Sequence, residues 1–254
     1  MNPVPTVRLT AETAEGAESA ETTVTGEAVR VAEPRAYADG IAGFRLLDLI
    51  VDRRVLIPRP ETEGLVELVL AWSARRWGRG NGEWGTVLDL GTGSGCVALS
   101  LATEGRFTRI VATDVSADAL AVARANAQRV HPEPVPEFRL GHLFEPVVGE
   151  RFDVIVSNPP YISEPEYLEL DPSVRDFEPR QALVSGPDGL AHTRAILEGA
   201  RHHLAPGGLL ALEVDSRRAE QSAGLARVAG FQNVRVEPDV FERPRFLLVR
   251  KDRA

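Results

Sequence analysis

From Thr86 to Val249 the chain alternates short apolar runs with helix-periodic segments, and no other feature restricts the fold as tightly. Thr86-Val87-Leu88-Asp89-Leu90 predicts a strand and Cys96 to Thr103 a helix. Arg109 to Thr113 predicts the next strand, and Ala117 to Val130 a helix that Ser116 would cap. Short strands follow at Phe138 to Leu140 and Phe152 to Ser157, then a helix over Gly189 to Leu204. A strand over Gly208 to Val214, a helix over Arg218 to Ala229, and strands at Asn233 to Val236 and Arg245 to Val249 complete the pattern. Strands that alternate with helices build a mostly parallel sheet covered on both faces. The last two strands are separated by only eight residues, too few for a helical crossover, so they are expected to pair antiparallel.

Upstream the pattern is different. Phe44 to Val51 reads as a strand, with Arg54 to Ile57 as its hairpin partner across Asp52-Arg53. Pro58 and Pro60 end that second strand, and Glu61 to Trp77 has helical spacing at Leu65, Val66, Leu68, Val69 and Trp72. Four glycines between Gly78 and Gly85 mark a loop. Thr10 to Glu33 is rich in Ala, Glu, Thr and Gly, with few bulky apolar residues, and is expected to stay disordered. The expected organisation is an acidic tail over 1–33, a β-hairpin linker over 34–60 and an α/β domain over 61–254.

Charge and composition narrow the function. The net charge is −8, so the chain lacks the broad positive field that supplies non-specific nucleic-acid affinity. A single cysteine, Cys96, excludes an internal disulfide framework and a multi-cysteine zinc site, and no metal site is expected. No apolar run approaches a membrane span, and Met1-Asn2-Pro3-Val4-Pro5 does not start a secretory signal, so the cytoplasm is the expected location.

Three motifs carry chemistry. Asp89-Leu90-Gly91-Thr92-Gly93-Ser94-Gly95 joins a strand to a helix. Its glycines permit a tight turn and close approach of a ligand, and the helix start presents free N–H groups. Cys96 stands where the dinucleotide fingerprint needs a third glycine, and Asp114, ending the next strand, suits ribose hydroxyls. The thiol of Cys96 is expected to be a packing group rather than a nucleophile. Ser157-Asn158-Pro159-Pro160-Tyr161 follows the strand Phe152 to Ser157, at the sheet edge where ligands of open parallel sheets bind. Its prolines stiffen the turn, so the Asn158 side-chain oxygen and the Pro159 carbonyl can be aimed at one planar –NH2 group. The third motif is Leu56-Ile57-Pro58-Arg59-Pro60-Glu61-Thr62-Glu63, where a strand end meets a helix start with acids in its first turn.

Together these segments resemble one family. The glycine loop with Asp114 is similar to class I S-adenosylmethionine-dependent methyltransferases, and Asn-Pro-Pro-Tyr to those that methylate planar amide or exocyclic amino nitrogens. Ile57-Pro58-Arg59-Pro60-Glu61-Thr62-Glu63 narrows the resemblance to the protein-glutamine methyltransferases that modify peptide chain release factors (the PrmC/HemK family). Val174-Arg175-Asp176-Phe177-Glu178-Pro179-Arg180, Ala182-Leu183, Gly186-Pro187-Asp188-Gly189-Leu190, Pro206-Gly207-Gly208 and Leu212-Glu213 extend it from about Glu33 to the C-terminus.

The resemblance implies a Rossmann-like, mostly parallel seven-stranded sheet with an antiparallel last strand, preceded by a β-hairpin. It implies S-adenosylmethionine as cofactor, with Gly91, Thr92, Gly93, Ser94 and Gly95 around its methionine part. Asp114 would lie on the ribose, Leu143 beside the adenine and Asn158 close to both cofactor and acceptor. Asn158, Pro159, Pro160 and Tyr161 would hold the glutamine of a release factor's Gly-Gly-Gln motif, and Arg59, Glu61 and Thr62 are candidate substrate contacts. A monomer without sequence-specific nucleic-acid binding is expected. The chain departs from the family at three places. Only about 33 residues precede the matching region, where the family carries a helical docking domain; His142 replaces the usual Asp before Leu143-Phe144; and Val214-Asp215-Ser216 follows Glu213 where Gly and Gln are usual. Alternatives are a glutamine methyltransferase acting on another protein such as a ribosomal protein, a nucleic-acid amino-methyltransferase, and a non-catalytic cofactor-binding protein. The acidic charge opposes the nucleic-acid reading, and the intact Asn158 to Tyr161 motif opposes the non-catalytic one.

Overall fold

The computed structural model describes residues 36–78, 80 and 82–252; the acidic segment Thr10 to Glu33 lies outside them. A two-stranded hairpin, β1 (Ile41–Phe44) and β2 (Leu47–Ile50), precedes helix α1 (Pro60–Trp77). A seven-stranded sheet follows, built from β3 (Trp84–Leu90), β4 (Phe107–Asp114), β5 (Glu137–Leu140), β6 (Phe152–Ser157), β7 (Leu204–Glu213), β8 (Asn233–Pro238) and β9 (Pro244–Arg250). Its strand order is β5-β4-β3-β6-β7-β9-β8. All neighbours are parallel except β9, which runs antiparallel to both β7 and β8. The longer crossover helices are α2 (Cys96–Glu104), α3 (Ala117–Val130), α7 (Ala191–His203) and α8 (Ala219–Val228). Three short helices, α4 (Glu164–Leu168), α5 (Pro172–Arg175) and α6 (Arg180–Leu183), punctuate the connection after β6.

Alternation along the strands sorts side chains into two apolar layers. On β7, Leu209 and Ala211 face the layer that holds Leu65, Val69, Val97 and Leu101, while Leu210 and Leu212 face the layer of Ile196, Leu197, Ala223 and Ala226. Helices therefore cover both faces, as parallel strands buried on both sides require. Ser116 caps α3 by accepting the Ala119 N–H.

The hairpin sits earlier than the expected pairing of Phe44 to Val51 with Arg54 to Ile57. The chain reverses at Arg45 and Leu46, and residues 53–57 form no strand. Arg45 takes the positive φ (51°) that the turn needs. Its side chain is held by Glu104 at 2.7 Å and Glu67 at 3.1 Å, and its N–H by Glu63 at 2.9 Å. Those acids come from α1 and α2, so a tertiary ion-pair cluster set the turn where local spacing suggested another. After Asp52 the chain turns instead, its carboxylate accepting the Arg54 N–H.

Candidate active site

The sheet order reverses between β3 and β6, with β4 on one side and β7 on the other. A crevice opens at such a point, beyond the carboxyl ends of the strands. Here it is a cavity lined by Gly91, Gly93, Asp114, Leu143, Asn158 and Pro159, with His142, His192 and Gln181 among the other walls.

The β3 loop is built by backbone bonds. Gly91 and Thr92 donate their N–H groups to the Thr113 carbonyl, each at 2.9 Å, and Gly93 donates to Asp114 Oδ2 at 2.9 Å. Gly91 and Gly93 adopt φ of +70° and +55°, with open space where a Cβ would stand. Gly95, the residue before α2, has φ +85° and would set a Cβ 3.1 Å from Leu99 and 3.3 Å from Ala123. Thr92 donates its hydroxyl to Asp89 at 2.7 Å. Burial pushes the Asp89 carboxyl up to about 7 against that bond. Burial also raises Asp114, opposed by the N–H groups of Ser116 and Gly93. Asn126, fully buried, was not singled out from the sequence. It exchanges two hydrogen bonds with Ile50 as a neighbouring strand would, and donates to the Ser94 carbonyl at 2.9 Å. It thereby clamps the hairpin to the glycine loop.

Asn158, Pro159 and Pro160 also line the cavity, and side-chain bonds tie this turn to the rest of the protein. Asn158 donates from Nδ2 to Thr62 Oγ1 at 3.0 Å, and Thr62 donates to Glu213 Oε2 at 2.7 Å. Thr62 and Glu213 are buried, and burial pushes the Glu213 carboxyl up to about 7 against the Thr62 bond. Arg59 pairs with the buried Glu178 at 2.7 Å, and Glu61 pairs with Arg243 at 3.0 Å. Gly189 (φ +77°) lets the Tyr161 carbonyl come within 2.5 Å of where a Cβ would be, which braces the turn after β6.

Seven sequence-derived candidates meet in the cavity: Gly91, Gly93, Asp114, Leu143, Asn158, Pro159 and Pro160. Thr92, Ser94, Gly95 and Tyr161 are not among its walls, and neither are Arg59, Glu61 and Thr62, which engage protein partners behind it. Tyr161 is half-buried, and burial raises its phenol. Burial pushes the Cys96 thiol up to about 12, which leaves it no role as a thiolate. In the sequence Glu213 stands out only as part of Leu212-Glu213, although a carboxylate ending an apolar strand is the signal for a buried polar role. His192 carried no signal, since its place beside His142, ring centres 6.3 Å apart, comes from packing. Among the described residues no cluster of His, Cys, Asp or Glu could hold a metal ion, and no helix is long and apolar enough to cross a membrane.

The residues present fit S-adenosylmethionine. Two positive-φ glycines leave open space for a ligand against the backbone, and Asp114 turns a largely buried carboxylate to the cavity, with lone pairs left for a ribose diol. Residues 80–169 match the family model for the methyltransferase small domain. The fold is shared with a methyltransferase from Pyrococcus furiosus at a TM-score of 0.58 and 22% identity, over 89% of this chain and 98% of that one. Sheet and cavity together thus define a class I S-adenosylmethionine-dependent methyltransferase.

Within that class the relatives are specific. A release factor glutamine methyltransferase from Cereibacter sphaeroides is 46% identical over 200 residues, 79% of this chain and 68% of that protein. One from Koribacter versatilis is 39% identical over 222 residues, 86% of this chain and 75% of that protein. The chain belongs to the release factor glutamine methyltransferase family.

Proposed function

We propose that this enzyme methylates the side-chain amide nitrogen of the glutamine in the Gly-Gly-Gln motif of peptide chain release factors, in the cytoplasm where translation ends. The observation that carries the reading is the tether of Asn158. Its Nδ2 is held by Thr62, so its planar amide turns Oδ1 the opposite way, and the residue lines the cavity that holds the glycine loop and Asp114.

An amide nitrogen is a poor nucleophile because its lone pair is delocalised into the carbonyl. S-adenosylmethionine supplies a methyl group on a sulfonium, an electrophile strong enough that no base need activate the acceptor. The protein must then align the nitrogen and accept its two hydrogens. Asn158 Oδ1 and the Pro159 carbonyl are the acceptors proposed for this, on a turn that two prolines stiffen. They would also face the positive charge that grows on nitrogen as the sulfur–methyl bond breaks; the sulfonium leaves as a neutral thioether, and the methylated nitrogen then releases one proton to solvent. Gly91, Gly93 and Asp114 would hold the donor, and Leu143 would lie beside its base. Arg59 and Glu61 act on the acceptor protein through the segments that they brace.

The test is transfer of isotope-labelled methyl groups to purified release factor, wild-type and with the motif's glutamine changed to alanine. Label is expected in the wild-type factor only. Asn158→Ala should lower transfer by about 10²- to 10³-fold, the cost of losing one preorganised polar partner. Label that enters the glutamine-free factor equally, or no label despite cofactor binding, overturns the assignment.

A further inference from the structure

We propose that Thr62 and Glu213 are positioning residues that fix which end of the Asn158 amide faces the methyl-accepting nitrogen, with Glu213 as a proton-controlled switch of that orientation. The proposal rests on the reading of Asn158 as the holder of the acceptor amide.

An asparagine amide is nearly symmetric in shape but opposite in polarity at its two ends. Turned the wrong way, Asn158 would set an –NH2 group against the acceptor's –NH2 group. Packing alone cannot choose between two ends of equal size; a hydrogen-bond partner of fixed polarity can. Thr62 is such a partner only while its single hydroxyl hydrogen is committed elsewhere. It is committed to Glu213 Oε2 at 2.7 Å, so Thr62 offers Asn158 lone pairs alone, and Nδ2 faces it at 3.0 Å.

That polarity depends on Glu213 being ionised. A protonated Glu213 carries an O–H that can donate to Thr62. The Thr62 hydrogen is then released toward Asn158, and the Oδ1 end can turn to meet it. No covalent bond changes; one proton on Glu213 reverses two hydrogen bonds.

The surroundings bring this change into the neutral range. Burial raises Glu213 to about 7; the Thr62 hydrogen bond, Arg245 on β9 and Arg59 ahead of α1 oppose it, and Glu61 on α1 adds to it. The Tyr161 phenol and the Cys96 thiol also lie in its field, and burial raises both, so neither ionises near neutrality. Glu213 and Thr62 are 1% and 2% exposed, so the relay is shielded from bulk water.

The experiment measures kcat against pH for the wild-type enzyme and for Thr62→Ser, Thr62→Val and Glu213→Gln, with cofactor Kd measured at each pH by calorimetry. Wild-type kcat is expected to fall about tenfold per pH unit below about pH 7, with Kd unchanged. Thr62→Ser keeps the rate and the acid limb. Thr62→Val, alike in shape but without a hydroxyl, lowers kcat by about 10- to 100-fold and loses the limb. Glu213→Gln loses the limb as well. Wild-type kcat and acid limb in Thr62→Val would overturn the proposal, as would a flat wild-type profile. A wild-type enzyme that binds cofactor but methylates no release factor at any pH strikes the underlying acceptor reading instead. Should the variants not fold, the wild-type protein decides alone: the Asn158 side-chain amide signals, assigned by through-bond correlation to the Asn158 backbone, must shift with a midpoint near the Glu213 value, and signals that stay fixed refute the switch.

Discussion

The two walls of the cavity are held by different kinds of bond. The glycine-loop wall, proposed as the cofactor wall, is closed by backbone N–H groups over short chain distances, as when Gly93 meets Asp114, 21 residues away. The Asn158 side, proposed as the acceptor wall, is backed by side chains over long ones: 96 residues from Asn158 to Thr62, 119 from Arg59 to Glu178, 151 from Thr62 to Glu213 and 182 from Glu61 to Arg243. Two successive strand–loop–helix units supply most of the bonds of the first, and the Asn126 clamp to Ile50 adds a tie across 76 residues. The second needs α1, the turn after β6, the short helices beyond it, β7 and the turn between β8 and β9 all in place. The difference implies that the walls can be damaged separately, with distinct readouts for cofactor affinity and for use of the protein acceptor.

Arg59→Ala is the sharpest attempt on the acceptor wall. It removes a partner from a Glu178 side chain that is 1% exposed, and breaking a buried pair in this way costs about 3 kcal/mol. A thermal melt should show the loss, the KM for release factor should rise, and cofactor Kd measured by calorimetry should hold. A weakened Kd would mean that the walls are not separable. Asn126→Leu attacks the other side. It orphans the N–H and C=O of Ile50 and the Ser94 carbonyl, at a cost of about 2 kcal/mol for buried polar groups left unpaired. Here the Kd should weaken while acceptor KM, measured at saturating cofactor, stays the same.

The same division explains what could be read from the sequence. That the glycine loop and Asp114 line one cavity is legible in the sequence because the signals are local: glycines at forced positive φ after an apolar strand, and an acid at the end of the next. β6 was expected at Phe152 to Ser157 and α3 at Ala117 to Val130, and both elements have those bounds, since burial and capping there are dictated by neighbouring residues. The hairpin register was misread because Arg45 is held by acids 18 to 59 residues away. Thr62 stood out only as part of a motif. Its neighbours Asn158 and Glu213 are far off in the chain, so no local spacing could show that it is a buried link rather than a surface contact. The clamp at Asn126 was invisible for the same reason, being one polar residue on a helix of otherwise ordinary composition.

Gly95→Ala sharpens the contrast with a smaller effect. At φ +85° an L-residue costs about 1 to 2 kcal/mol, and the new Cβ also presses on Leu99 and Ala123. The loop should shift at the start of α2, lowering the melting temperature and weakening cofactor binding without touching acceptor KM. An unchanged Kd would show that the left-handed turn shapes the helix start but not the ligand.

Asp188 sets the lower bound. It belongs to the Gly-Pro-Asp-Gly-Leu motif, yet it is a surface group outside the cavity lining, 46% exposed and paired with an Arg194 that is 45% exposed. Hydrogen bonds from Arg194 and from the Leu190 N–H hold its carboxyl down to about 2. A carboxylate with a depressed pKa stabilises the fold above its unfolded value of 3.8, and that contribution is lost as pH falls through about 2. Solvent screens so exposed a pair, so Asp188→Asn should cost well under about 1 kcal/mol at pH 7 and less still near pH 2. Melts at the two pH values measure it. A loss at pH 7 as large as that from Arg59→Ala would mean that an exposed local pair holds this fold as firmly as a buried long-range one. Burial would then not be what ranks the ion pairs of this protein.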